Sequence, residues 1–73
     1  MTIKQEFQNH NPSLLYIDHK FVSPSIVGIS FLAVGGGRVL GGVRLYNVNN
    51  GAIDWANPVK TVESWANVER RQR

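Results

Sequence analysis

Apolar and polar residues alternate along much of this chain, and the alternation has the period of extended strands. Between Leu14 and Val22, Leu15, Ile17, His19 and Phe21 would share one side of a strand, and Leu14, Tyr16, Asp18 and Lys20 the other. The second side turns polar halfway along, as on a half-solvated strand. Ser23-Pro24-Ser25 interrupts the run. Over Ser25–Val34, a strand would put Val27, Ile29, Phe31 and Ala33 on one face and Ile26, Gly28, Ser30, Leu32 and Val34 on the other. Both faces are apolar, so period alone leaves a helix open, with Ser23 as its cap, Pro24 at its first position and Gly35 at its end. The abundance of Ile, Val and Phe, and the ~1 kcal/mol by which Gly28 weakens a helix, favour the strand.

Gly35-Gly36-Gly37 supplies the positive φ that a hairpin turn needs. Arg38–Val48 follows as a long strand. Its Gly41-Gly42 pair suggests a bulge or a close backbone approach, and Val43 and Leu45 alternate cleanly with Arg44 and Tyr46. Asn49-Asn50-Gly51 predicts a type I′ turn into a short strand, Ala52–Trp55. Asn57 and Pro58 then read as a helix start, and Val59, Val62, Trp65 and Ala66 recur at helical spacing. The expected architecture is therefore α+β: a small antiparallel sheet of 3–4 strands with hairpins at Gly35–Gly37 and Asn50–Gly51, covered by one C-terminal helix at about 58–70. Trp65 and Val62 on that helix would cover Ile53, Leu45 and Ile29, so that removing Trp65 would cost ~3–5 kcal/mol. Residues 1–12 are polar apart from Ile3 and Phe7 and read as a mobile arm, with Phe7 as the residue able to dock. Residues 13–73 form a single domain on this reading.

Composition narrows the chemistry. The chain has 73 residues, 42% of them hydrophobic, which suits one small folded domain rather than a disordered segment. It has no cysteine, which excludes a disulfide frame and a thiolate metal site. His10 and His19 lack a third ligand at metal spacing, and neighbouring strand positions send Asp18 and His19 to opposite faces. None of the serines has a nucleophile-elbow context. The glycine-rich run 35–42 lacks the Lys-Ser/Thr and helix of a phosphate loop and the crossover unit of a dinucleotide site. The expectation is a protein that is not an enzyme and takes no cofactor, metal or small-molecule substrate. The start of the chain has no apolar signal core, and Ile26–Val34 is about half a membrane span, so a cytoplasmic, non-membrane location is expected.

Binding remains. Net charge is +3, and three of the five arginines, Arg70, Arg71 and Arg73, fall in the last four residues. That cluster could neutralise phosphates or merely complement the end of a helix. Arg38, Arg44 and Lys20 on strands, interleaved with Tyr16 and Tyr46, could form a sheet surface for single-stranded nucleic acid. The sheet edge, with Phe7 of the N-terminal arm, could instead add to a partner's sheet.

Met1-Thr2-Ile3-Lys4-Gln5-Glu6-Phe7, the triple glycine and the terminal Glu69-Arg70-Arg71-Gln72-Arg73 together resemble a small regulator of host RNA polymerase from lytic bacteriophages of plant-pathogenic bacteria. The resemblance spans the whole chain. It implies binding to the amino-terminal part of the polymerase β′ subunit, near the RNA exit channel, with β as an optional second contact. It further implies σ displacement, inhibited initiation and antitermination helped by a host Nus factor, with nascent RNA close by. A stand-alone nucleic-acid-binding domain is the alternative, and a subunit of another assembly is a third option.

Overall fold

The computed structural model describes residues 2–67. It contains one helix, α1 (Ile3–His10), and five strands: β1 (Leu15–Ser23), β2 (Ile26–Gly35), β3 (Arg38–Asn49), β4 (Ala52–Ile53) and β5 (Lys60–Asn67). All pairings are antiparallel. β1, β2 and β3 follow one another across the sheet, and β4 and β5 both pair with β3, along successive parts of its second edge. β4 meets Val48 and Asn49, whereas β5 runs beside Arg38–Leu45. Residues 55–58 leave the edge between them, while the Asp54 and Val59 amides still donate to the β3 carbonyls of Asn47 and Leu45 at 3.0 and 2.7 Å.

Two hairpins turn where the backbone can take positive φ. Gly36 and Gly37 have φ of 60° and 76° between β2 and β3, and Asn50 and Gly51 have 53° and 80° between β3 and β4. Both central residues positive is the type I′ requirement, which matches the twist of the flanking strands.

Among the described residues the expected C-terminal helix is absent, and the last part of the segment assigned to it, residues 68–70, lies outside them. Lys60–Asn67, most of the segment assigned to it, is strand β5. Thr61, Val62 and Trp65 are strand formers, and the spacing of Val59, Val62 and Trp65 defines only a narrow stripe for a helix. A short isolated helix is marginal in water, while the edge of β3 offers a complete ladder of partners. Trp65 and Val62 consequently do not form a lid. They are 50% and 57% exposed.

Helix occurs instead at the other terminus, within the segment read as an arm. Thr2 and Gln5 make a reciprocal capping box: the Thr2 hydroxyl accepts from the Gln5 amide, and the Gln5 side chain accepts from the Thr2 amide, each at 3.1 Å. Phe7 is wholly buried, with Val27, Ile29, Phe31 and Tyr46 around it. Ile3, Leu14, Tyr16, Leu40, Val48, Ile53 and Trp55 complete this layer. Three polar clamps hold the helix. Gln8 donates to the Leu14 carbonyl and accepts from the Tyr16 amide, both at 2.7 Å, as a neighbouring strand would. Glu6 accepts from the Trp55 indole at 3.2 Å, and Asn11 accepts from Arg44 at 3.0 Å.

The two sheet faces follow from register, since directly opposed residues share a face. The helix-covered face carries Val27, Ile29, Phe31, Leu40, Arg44 and Tyr46. β1 departs from simple alternation because its ladder slips at Ile17, between Tyr16 and Asp18. Tyr16 therefore joins His19 and Phe21 on the helix face, while Leu15 joins Asp18 and Lys20 on the opposite one. The Gly41-Gly42 pair carries no bulge, because the ladders to β2 and β5 run through it unbroken. Gly42 is a close approach: a Cβ there would lie 2.7 Å from Phe31 Cζ and 2.7 Å from the Val62 carbonyl oxygen. No helix among the described residues is long and apolar enough to cross a membrane.

Candidate functional site

Two surfaces are left uncovered by the core. The first is the sheet face opposite α1. Its cross-strand rows, read from β1 through β5, are Lys20–Gly28–Leu45–Lys60, then Asp18–Ser30–Val43–Val62, then Leu15–Leu32–Gly41–Ser64, and finally Val34–Val39–Ala66. Val34 is 73% exposed at the hairpin end. Four strands of about eight residues cover roughly 500 Å² in projection. Lys20, Asp18, Ser30, Lys60 and Ser64 interrupt this face, and its apolar part, formed by Leu15, Leu32, Val34, Val39, Val43, Leu45, Val62 and Ala66, is smaller than that area. At its charged end the face dips into a groove of about 310 Å³ over Gly28, flanked by Asp18 and Lys20 on one side and Val43 and Leu45 on the other. Leu45 leans over Gly28, its Cδ2 2.9 Å from where a Cβ would be, so a side chain there would displace it.

The second surface is on the helix face at its far end. Trp65 stands opposite Leu40, and Arg38 stands opposite Asn67. The Arg38 guanidinium lies 5.0 Å from the Trp65 ring centroid, a cation–π stack at the sheet edge.

The sequence-expected residues are distributed unevenly between these surfaces. Tyr46 is buried and packs edge-on against Trp55 at 4.9 Å, so its ring offers no external stacking face. Phe7 is likewise core rather than an edge contact. Tyr16 lines the core and its hydroxyl bonds His19 Nδ1 at 2.5 Å. Burial, and after it the Asp18 charge, push the Tyr16 phenol above its ordinary value. Arg44 is held internally: Nε and Nη2 donate to Glu63 Oε1 at 2.9 and 2.6 Å, and its guanidinium covers the Phe31 ring at 5.0 Å. Burial pulls the Arg44 pKa down, but the bonds and charges of Glu63 and Tyr46 outweigh it and leave the group above its ordinary value. Lys20 lies on the open face, away from both arginines. Arg38 alone of these keeps an exposed position beside an exposed aromatic ring. Arg70, Arg71 and Arg73 lie outside the described residues.

The histidines are separate. His10 stacks on Trp55 at 5.4 Å, and His19 bonds Tyr16. Among the described residues no three His, Cys, Asp or Glu side chains gather into a potential metal cluster. Trp65 is the residue that sequence reasoning misplaced. Its signal was the alternation Thr61, Glu63, Trp65 within a strand-forming run that ends beside a cationic terminus. No protein-family model matches the chain, and neither does any curated protein or solved structure.

Proposed function

We propose that this chain is a non-enzymatic phage regulator that binds bacterial RNA polymerase, in the cytoplasm of the host. On this reading it docks on the amino-terminal region of β′ near the RNA exit channel, obstructs σ-dependent initiation and promotes readthrough of terminators, with a Nus factor assisting. The observation that carries the reading is the uncovered apolar sheet face. A chain this small leaves Leu15, Leu32, Val34, Val39, Val43 and Val62 facing outward without a second layer, an arrangement suited to a larger partner. Displacement of a competitor needs only an interface that the competitor cannot share. The resemblance in the terminal segments and the triple glycine supplies the identity of the partner.

The test is affinity capture from nuclease-treated bacterial lysate with the full chain as bait. The β and β′ subunits should be retained and σ depleted. Val34→Asp combined with Val62→Asp should weaken retention at least about tenfold, because each places a charge in the face while sparing the buried core. Absence of both large subunits from the wild-type capture would refute the proposal.

A further inference from the structure

We infer that the outer edge of β5 is a self-association site, where a second copy of this chain adds its own β5 antiparallel and centred on Ser64. Backbone direction carries the assignment, and neither sheet face is used, so it stands or falls apart from the polymerase reading. In an antiparallel ladder, successive residues turn their amide and carbonyl to alternate sides. The Ser25 carbonyl accepts from the Val48 amide at 2.8 Å, which sets the phase: counted on from Ser25, the odd-numbered residues of β2 bond β3. The ladders run without a break, so Val39, Gly41, Val43 and Leu45 are the β3 residues turned to β5. The Leu45 carbonyl, which accepts from Val59 at 2.7 Å, agrees with that phase. Their partners are Ala66, Ser64, Val62 and Lys60, which leaves the amides and carbonyls of Thr61, Glu63, Trp65 and Asn67 directed outward. Among the described residues no strand lies beyond them.

The other edge of the sheet is blunted. On β1 the same phase turns Tyr16 and His19 outward, and their amides are already taken: Gln8 accepts from Tyr16 at 2.7 Å and Asp18 accepts from His19 at 2.8 Å. Irregularities at Ile17 and Val22 interrupt the rest of that edge. Such devices keep an edge from pairing with another chain. β5, by contrast, is a straight run of eight residues with no bulge and no proline, and its one lysine is at its start. The β5 edge is also its own complement. With Ser64 opposite Ser64 of the second copy, Thr61 pairs with Asn67 and Glu63 with Trp65. All four outward residues of each copy then bond at once, in about eight hydrogen bonds. A slip by two residues in one direction opposes Glu63 to itself, and in the other leaves Thr61 without a partner in β5. On the open face Val62 would meet Ala66 of the second copy, which joins the two apolar faces into one. A foreign strand gains none of this matching from the sequence of β5, whereas a second copy has it by symmetry.

An edge contact of this length lies below the standard interface size, so the dimer should be weak, micromolar or above. Sedimentation velocity of the full chain from about 5 to 500 μM should show a monomer–dimer equilibrium. Hydrogen exchange should show the Thr61, Glu63 and Trp65 amides gaining protection as concentration rises, with Val62 and Ser64 protected throughout. Thr61→Pro removes only an outward amide and should weaken dimerisation at least about tenfold. Ser64→Lys and Ser64→Asp each oppose like charges across the axis and should be monomeric alone, whereas their mixture should pair. Tryptophan emission in urea titrations of dilute protein reports whether each variant is folded. A parent that stays monomeric at the highest concentration would overturn the inference, and loss of polymerase capture by Thr61→Pro would then give the edge to that partner. A dimer that survives in folded Thr61→Pro or Ser64→Lys protein, or a mixture of the two Ser64 variants that remains monomeric, would overturn it as well.

Discussion

Replacing Phe7 with Ala tests whether the N-terminal helix is part of the fold or an appendage to it. The ring is completely enclosed and lies 6.1–6.2 Å from the rings of Tyr16, Phe31 and Trp55. Emptying such a site costs about 3–5 kcal/mol, the removed surface and the residual cavity together. A chain of 73 residues is stable by only about 4–11 kcal/mol in total. The substitution should therefore remove about a quarter or more of the stability, and in the lower range most or all of it. With a urea slope near 1 kcal/mol/M for so small a domain, the midpoint should fall by about 3 M. Trp55 emission is the natural readout, because its ring also packs on Tyr46 and His10 and its indole donates to Glu6. Phe7→Leu, which keeps most of the volume, should cost less than about 1.5 kcal/mol. A midpoint change in Phe7→Ala worth under about 1 kcal/mol would mean that the sheet stands without the helix, and the reasoning given for the core would be wrong.

Two further predictions concern the sheet. Gly42→Ala should destabilise by about 1–3 kcal/mol or more, since its methyl meets a backbone oxygen that cannot withdraw without parting β3 from β5, whereas Gly41→Ala should change stability by only about 0.5 kcal/mol. Equal urea midpoints for the two variants would rule out the close approach. Tyr16 has a folded pKa above its ordinary 10.0, so the unfolded chain loses this proton first. Its contribution is complete below pH 10.0 and disappears as pH rises through the folded value. Alkaline denaturation of Tyr16→Phe should accordingly be shallower than that of the parent, and parallel curves above that pH would contradict the assignment.

The hairpin centred on β2 and β3 was legible in the sequence because its glycines allow positive φ and the odd positions of β2, Val27, Ile29, Phe31 and Ala33, form one apolar face. What resisted reading was set by partners distant along the chain. Ile17 looks like a regular strand position, and only the pairing of β1 with β2 shows that the ladder slips there. The spacing of Val59, Val62 and Trp65 suits a helical stripe, while their residue types suit a strand that splits Val62 and Trp65 between the two faces, and the decision belongs to the free edge of β3. At the N-terminus the signal existed locally. Thr2 and Gln5 have capping-box spacing and Ile3 and Phe7 stand one turn apart, but the surrounding asparagines and glutamines disguised them. Those polar residues are structural: Gln8 completes the start of β1 and Asn11 receives Arg44. The basic surface was only partly readable for the same reason. Arg38 and Arg44 are six apart on one strand face, yet Glu63 engages the second and Trp65 the first, and neither partner can be inferred from spacing within β3.

The excursion at residues 55–58 between β4 and β5 has a consequence for how the chain matures on the ribosome. It carries Trp55 across to the helix, and the bond to Glu6 spans 49 residues. The helix precedes its partner in the chain and cannot be closed in until synthesis has passed Trp55. Until then the pocket around Phe7 lacks its Trp55 wall, and the helix is open to chaperones and proteases. Shortened translation products that stop before Trp55 should therefore be degraded rather than accumulate as a smaller folded form.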